Sequence, residues 1–250
     1  MTVFSEWKAH KRRNRILGLA LMVVLLLMIL LTLNFGAASI GISSIVRILI
    51  GKICRIPQWY ADIKPGFVSI VWEIRLPRIL CGVLIGAGLS VSGVIFQALL
   101  RNPLADPFTL GVSTGAAFGA SLAIFLNLTF ATSFSTTVFA FTVAFLTLLL
   151  VIWIAERGGG MLSSSLVLAG IIVGAVFSSA ISFLKMLAGE NVSAIVFWLM
   201  GSLAAVEWSD VLILFIADVF GITAVWYFGD DLNVMTLGDE TAQSLGINIK

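Results

Sequence analysis

From Phe108 to Ala155 the chain carries no charged residue. One membrane-crossing helix takes about 20 apolar residues, so this run is too long for a single helix. Its polar centre, "NLTFATSFSTT" (127–137), divides it into two. Soluble domains are about 45–50% apolar and about 25% charged. Here 60% of the 250 residues are hydrophobic and 11% are charged. The chain therefore reads as a membrane protein before any motif is considered.

The same length rule predicts four further spans. Ile16–Leu33 follows a basic cluster of Lys8, Lys11, Arg12, Arg13 and Arg15, which by the positive-inside tendency places the N-terminus in the cytoplasm. The "GAAS" that follows (36–39) raises a cleavable signal peptide as a rival, but the apolar run exceeds the 7–15 residues of a signal core. A retained helix is the better reading. Ile79–Leu100, Met161–Leu184 and Ser209–Phe228 complete the set, the last with Asp218 in its middle. Val192–Leu203 is too short to cross and reads as an interfacial or re-entrant segment. The expected fold is all-α: a polytopic transmembrane helical bundle of six spans, both ends on the same side.

Charge tests this orientation only weakly. The cytoplasmic side would hold the N-terminal cluster with Arg101, Arg157 and Lys250. The opposite side would hold Arg47, Lys52, Arg55, Lys64, Arg75, Arg78 and Lys185. Basic residues on the outer face therefore call for an explanation. Trp59, Trp72, Trp198 and Trp208 fall near the expected membrane edges, as an aromatic belt does.

Small residues recur at every fourth position in three spans: Gly82, Gly86 and Ser90; Gly111, Gly115 and Gly119; Gly170, Gly174, Ser178 and Ser182. Each set lies on one helix face and lets another backbone approach closely. The pattern predicts tight packing, and it occurs in channels, enzymes and receptors alike.

Several chemistries are disfavoured. A formal charge of +2 is too small to argue for nucleic acid. Cys54 and Cys81 form neither a metal spacing nor a disulfide framework. His10 is alone, which leaves no basis for a histidine metal site or a Ser-His-Asp triad. No cofactor or metal is expected. There is no phosphate-binding loop, so ATP hydrolysis would belong to another chain. Asp218 is a costly residue at mid-span and is expected to hydrogen-bond a neighbouring helix.

The stretch "RLPRILCGVLIGAGLSVSGVIFQALLRNPLADPFTLGVSTGA" (75–116) resembles the permease subunits of bacterial ABC importers for iron-siderophores, haem and cobalamin, the FecCD type. "LVLAGIIVGAVFSS" (166–179), "FWLMGSLAAVEW" (197–208) and "LGDETAQSLGINI" (237–249) continue the resemblance in family order. It implies a single permease domain over 1–250, with 1–15 cytoplasmic, 16–228 in the membrane and 229–250 as a cytoplasmic coupling loop. It also implies a bacterial plasma membrane location and three kinds of partner besides lipid: cytoplasmic ATPases, a periplasmic or lipid-anchored solute-binding protein, and a second permease copy.

The resemblance assigns roles to particular residues. Arg75 and Arg78 match arginines that dock the binding protein, where a guanidinium fork suits a carboxylate. That would explain the basic outer face; the plainer reading is an interfacial anchor. Ser164 and Ser165 match a cytoplasmic gate, and a serine N-cap of the fifth span is the plainer reading. Gly238, Asp239, Glu240, Leu245 and Gly246 match the loop that couples to the ATPase. Read from the residues, Asp239 caps a short helix and Gly246 ends it. "RNPLADP" (101–107) reads as a rigid corner. In the family about four more helices follow the coupling loop, and a truncated or split permease is the expectation here.

The function implied is alternating-access import of an iron-siderophore or related chelate. A proton-coupled secondary transporter would need more intramembrane ionisable groups than Asp218. An intramembrane enzyme would need a nucleophile–base pair or metal cluster, and none is visible. A non-functional permease fragment is the remaining alternative.

Overall fold

The computed structural model describes residues 3–158, 163–238 and 243–246. Among these the regular structure is helical throughout. The long elements are α1 (Val3–Asn34), α2 (Ile42–Ile53), α3 (Pro65–Leu100), α4 (Val112–Phe130), α5 (Thr136–Arg157), α6 (Ser163–Ala188), α7 (Val192–Met200), α8 (Trp208–Tyr227) and α9 (Gly229–Met235). Six helical stretches are long and apolar enough to cross a membrane: His10–Asn34, Pro65–Leu100, Val112–Phe130, Thr136–Arg157, Ser164–Met200 and Trp208–Tyr227. This is the expected all-α, six-span architecture.

Boundaries differ in two places. The second span was expected from Ile79, yet α3 begins at Pro65, where proline suits a first helical position. Glu73, Arg75 and Arg78 interrupt the apolar run and hid those turns. Within α3, Ile70–Arg75 is a wider π-helical stretch, the kind of local register change often seen at functional positions. The segment at 192 forms only the nine-residue α7, joined to α6 through a tight turn at Gly189–Asn191.

The chain divides into two compact units, Met1–Leu84 with Leu203–Phe215, and Ile85–Ser202 with Ile216–Lys250. In the first, Leu33, Ile40, Ile45, Ile48, Val71 and Leu76 form the core, with Trp208 packed against them. The amphipathic α2 had no counterpart among the expected spans. At 12 residues it is too short to cross, and it lays Ile45 and Ile48 into this core. Burying such a side chain stabilises by about 1.5–3 kcal/mol. Arg47 on α2 reaches the loop after it, donating Nη1 to Asp62 Oδ2 at 3.0 Å and Nη2 to Oδ1 at 2.5 Å. Trp72 and Trp208 pack 5.1 Å apart between centroids, and Trp208 Nε1 donates to the Trp72 carbonyl.

In the second unit α4, α5 and α6 pack against one another, with α7 against α4. Leu110, Val151, Ala155, Ala169 and Val173 are its buried core. Phe118 of α4 stacks on Phe177 of α6 at 5.0 Å. The polar centre that divides the uncharged run is a turn built by Asn127. Its Oδ1 accepts from Phe134 N and Thr132 Oγ1, and its Nδ2 donates to the Phe134 carbonyl. Ser135 Oγ then accepts from Val138 N and caps α5. The corner at 101–107 is held similarly. Asn102 Oδ1 accepts from Leu104 N, and Asp106 Oδ1 accepts from Phe108 N and Thr109 N.

Candidate functional site

Several glycines of the second unit stand where a neighbouring helix or loop leaves no room for a Cβ. Gly111 begins α4 at φ +71°, a left-handed conformation that favours glycine. A Cβ there would stand 2.8 Å from the Gly170 carbonyl oxygen on α6. A Cβ on Gly170 would stand 2.5 Å from the Thr109 oxygen, and one on Gly119 would stand 2.6 Å from the Phe139 oxygen. At Gly115 a Cβ would collide with the Thr147 hydroxyl of α5. Thr147 is itself buried, and that hydroxyl donates to Val143 O in its own helix. Gly174 meets Thr114 Oγ1 less closely, at 3.3 Å. Gly82 and Gly86 of the second span behave differently among the described residues. Gly82 would touch only Leu203 Cδ1, at 3.9 Å, and nothing lies within 4 Å of Gly86. Among the described residues, close neighbours thus face Gly111, Gly115, Gly119 and Gly170, and none so close faces Gly82 or Gly86.

Arg75 and Arg78 lie in α3 of the first unit, and both hold backbone. Arg75 is half-buried and donates Nη1 to the Leu33 carbonyl and Nη2 to the Ala38 carbonyl, each at 2.6 Å. Leu33 O belongs to the last turn of α1, where helix carbonyls lack partners and a cation is favoured. Gly36, at φ +150°, lies under this guanidinium, and a Cβ would stand 2.6 Å from Nη2. Arg78 is exposed, donating Nε to the Leu203 carbonyl at 3.0 Å and Nη2 to the Ala204 carbonyl at 2.9 Å. One arginine thus secures the chain after α1, and the other the chain before α8. The family resemblance pairs these guanidinium forks with carboxylates, and an interfacial anchor is the plainer reading; the carbonyls they hold carry no sequence signature.

Ser164 and Ser165 sit in the first turn of α6. Ser164 lines a cavity of about 390 Å³ with Leu100, Asn102, Val167, Leu168 and Ile171, so the structure brings it beside the 101–107 corner. Of the coupling residues, Asp239 and Glu240 lie outside the described residues. Gly238 adopts φ +111°, 3.5 Å from Arg101 Nη1 measured at its Cβ position. Leu245 is exposed, and Gly246 donates its N–H to the Gln243 carbonyl at φ +86°.

Asp218 lies midway along α8. The hydrogen bond expected of it is not made: Oδ2 is buried with no partner among the described residues. Outside the membrane-length helices, the Arg47 hydrogen bonds hold the Asp62 carboxyl below the usual aspartate value. Among the described residues no group of three or more His, Cys, Asp and Glu could hold a metal ion.

Apolar side chains cover the outside of the long helices, with Leu19, Leu21 and Phe141 among the most exposed. Large exposed apolar surfaces mark a membrane or protein partner. With six membrane-length helices and close small-residue packing, they define a multi-pass membrane protein.

The chain belongs to the FecCD transport family, whose sequence profile matches residues 24–250. It is 33% identical over 234 residues to the molybdate import system permease protein MolB of Haemophilus influenzae, covering 93% of this chain and 66% of MolB. It is 32% identical over 243 residues to the Fe(3+)-citrate import system permease protein YfmE of Bacillus subtilis, covering 96% and 68%. A solved metal-chelate type ABC transporter in an inward-facing conformation superimposes with TM-score 0.75 at 30% identity, over 92% of this chain and 68% of that one. The chain thus spans about two-thirds of the length of these relatives, and it is of the ABC importer permease class that they share.

Proposed function

We propose that the chain helps form the membrane path of an ATP-driven importer for a metal-containing solute, with an iron-siderophore, haem or cobalamin as the class of cargo. The observation that carries this reading is the family match across residues 24–250, joined to the likeness of fold to a metal-chelate transporter. MolB and YfmE bear the names of a molybdate and a ferric citrate system, so the cargo class extends to small metal anions. Cytoplasmic ATPases, a solute-binding protein outside and a second permease copy complete the machine. The basic N-terminal cluster supports a cytoplasmic N-terminus in a bacterial plasma membrane.

In this reading Arg78 meets the binding protein. It is exposed and commits Nε and Nη2 to carbonyls, which leaves guanidinium surface for an incoming carboxylate. Arg75 is half-buried and shapes the same region by holding the end of α1. Ser164 and Ser165 narrow the cytoplasmic mouth, while Gly238–Gly246 receives the ATPase. Residues 1–15, 16–228 and 229–250 then act as cytoplasmic lead, membrane part and coupling loop. Alternating access follows from ATPase closure pressing on that loop.

The test is uptake into vesicles holding the chain with its permease partner, ATPase and binding protein. Ferric siderophores, haem, cobalamin and molybdate are offered in turn. ATP-dependent uptake of one of them is expected, and Arg78→Glu should abolish the binding protein's stimulation of ATP hydrolysis while sparing the basal rate. Uptake that needs neither ATPase nor binding protein would overturn the proposal.

A further inference from the structure

The unpartnered carboxylate of α8 opens onto a built cavity. Asp218 Oδ2 is buried without a hydrogen-bond partner among the described residues. Its Oδ1 faces Gly88 of α3 so closely that a Cβ there would stand 2.8 Å away. Both residues line a cavity of about 370 Å³ in the second unit. Ser92, one turn beyond Gly88, and Gly221, nearly one turn beyond Asp218, share its wall, and valine, isoleucine and alanine make up the rest.

A carboxylate at this depth in a membrane-length helix is costly unless something neutralises it. No lysine, arginine or histidine lines the cavity from α3 or α8, nor does a second acid. The described lining therefore supplies no countercharge. A divalent metal wants several oxygen or nitrogen ligands, and no cluster of three or more His, Cys, Asp and Glu exists among the described residues. One carboxylate and one hydroxyl, with room for several waters at roughly 30 Å³ each, suit a single positive charge.

We propose that Asp218 and Ser92 form a binding site for one monovalent metal cation, a sodium ion, taken up from water in this cavity. Gly88 is part of the site because any side chain there would displace the carboxyl oxygen it faces. The site does not depend on which cargo the transporter carries, so it can fail while the import reading stands.

Dicyclohexylcarbodiimide, which adds to protonated carboxyls in apolar surroundings, tests this on the full chain in native membranes, read by peptide mass spectrometry. Asp218 should be modified in preference to the exposed Asp62 and Asp230, and Asp218→Asn should lose the label. Loss of labelling at constant pH on adding sodium chloride, but not choline chloride, identifies a sodium ion. Gly88→Ala keeps the carboxyl yet should weaken sodium protection. The proposal is overturned if Asp218 is never labelled, or if sodium chloride protects it no better than choline chloride does.

Discussion

The two compact units close their chains by opposite means. In the first, guanidinium groups reach out to backbone carbonyls: Arg75 to Leu33 and Ala38, Arg78 to Leu203 and Ala204. In the second, side chains are removed so that backbones meet: Gly111 against Gly170, Gly119 against Phe139. Long donors can span an irregular loop and satisfy carbonyls that no helix partner reaches. Glycine brings regular helices together, where association depends on van der Waals packing rather than on expelling water. The first device tolerates small displacements; the second tolerates none.

That contrast predicts its largest effect at Gly111. Alanine there meets both the strain of a left-handed residue, about 1–2 kcal/mol, and overpacking against the Gly170 carbonyl, about 1–3 kcal/mol. The melting temperature in detergent should fall sharply, with Gly170→Leu close behind. Gly86→Ala is the matched control. It shares the sequence spacing, but nothing lies within 4 Å, so its melting temperature should hold or rise slightly through helix propensity. Equal losses at Gly86 and Gly111 would break the distinction between the two sets of glycines.

The next effect belongs to Arg75. Replacement by methionine leaves the Leu33 and Ala38 carbonyls without their donor; the site is only half-buried and water replaces part of it, so the combined cost is about 1–3 kcal/mol. Lysine should recover only part of the loss, since it lacks the planar fork that meets both oxygens. Arg78→Met should destabilise less because that site is exposed and water can replace the donor. If Arg78→Met proves the more damaging, the first unit is not secured chiefly at the end of α1.

These pairs also show what the sequence could reveal. The six spans were legible because length and apolarity are all a membrane helix needs. The glycine contacts at 111, 115, 119, 170 and 174 were legible as a periodicity, but spacing alone could not separate them from Gly82 and Gly86. That difference depends on which neighbour lies opposite. The turns before Ile79 were hidden because Glu73, Arg75 and Arg78 break the apolar run, and α2 because it is too short to register as a span. The arginines were found as special residues, while their carbonyl partners were invisible: every residue has a carbonyl.

The smallest predicted effect probes an exposed charge pair. Arg47 holds Asp62 through two hydrogen bonds, and these keep the Asp62 carboxyl below the usual aspartate value. A carboxyl with a depressed folded-state value contributes its stability above the unfolded value and loses it as pH falls through the folded one. Asp62→Asn should therefore lower the melting temperature slightly at neutral pH. The gap from the parent chain should narrow steadily below about pH 4 and close once Asp62 is protonated in both folded and unfolded chains. Because the pair is solvent-exposed, moderate salt should shrink the same gap at neutral pH. A gap unmoved by either acid or salt would mean that Asp62 acts through its shape in the loop after α2, and the charge-held character of the first unit would then rest on Arg75 and Arg78 alone.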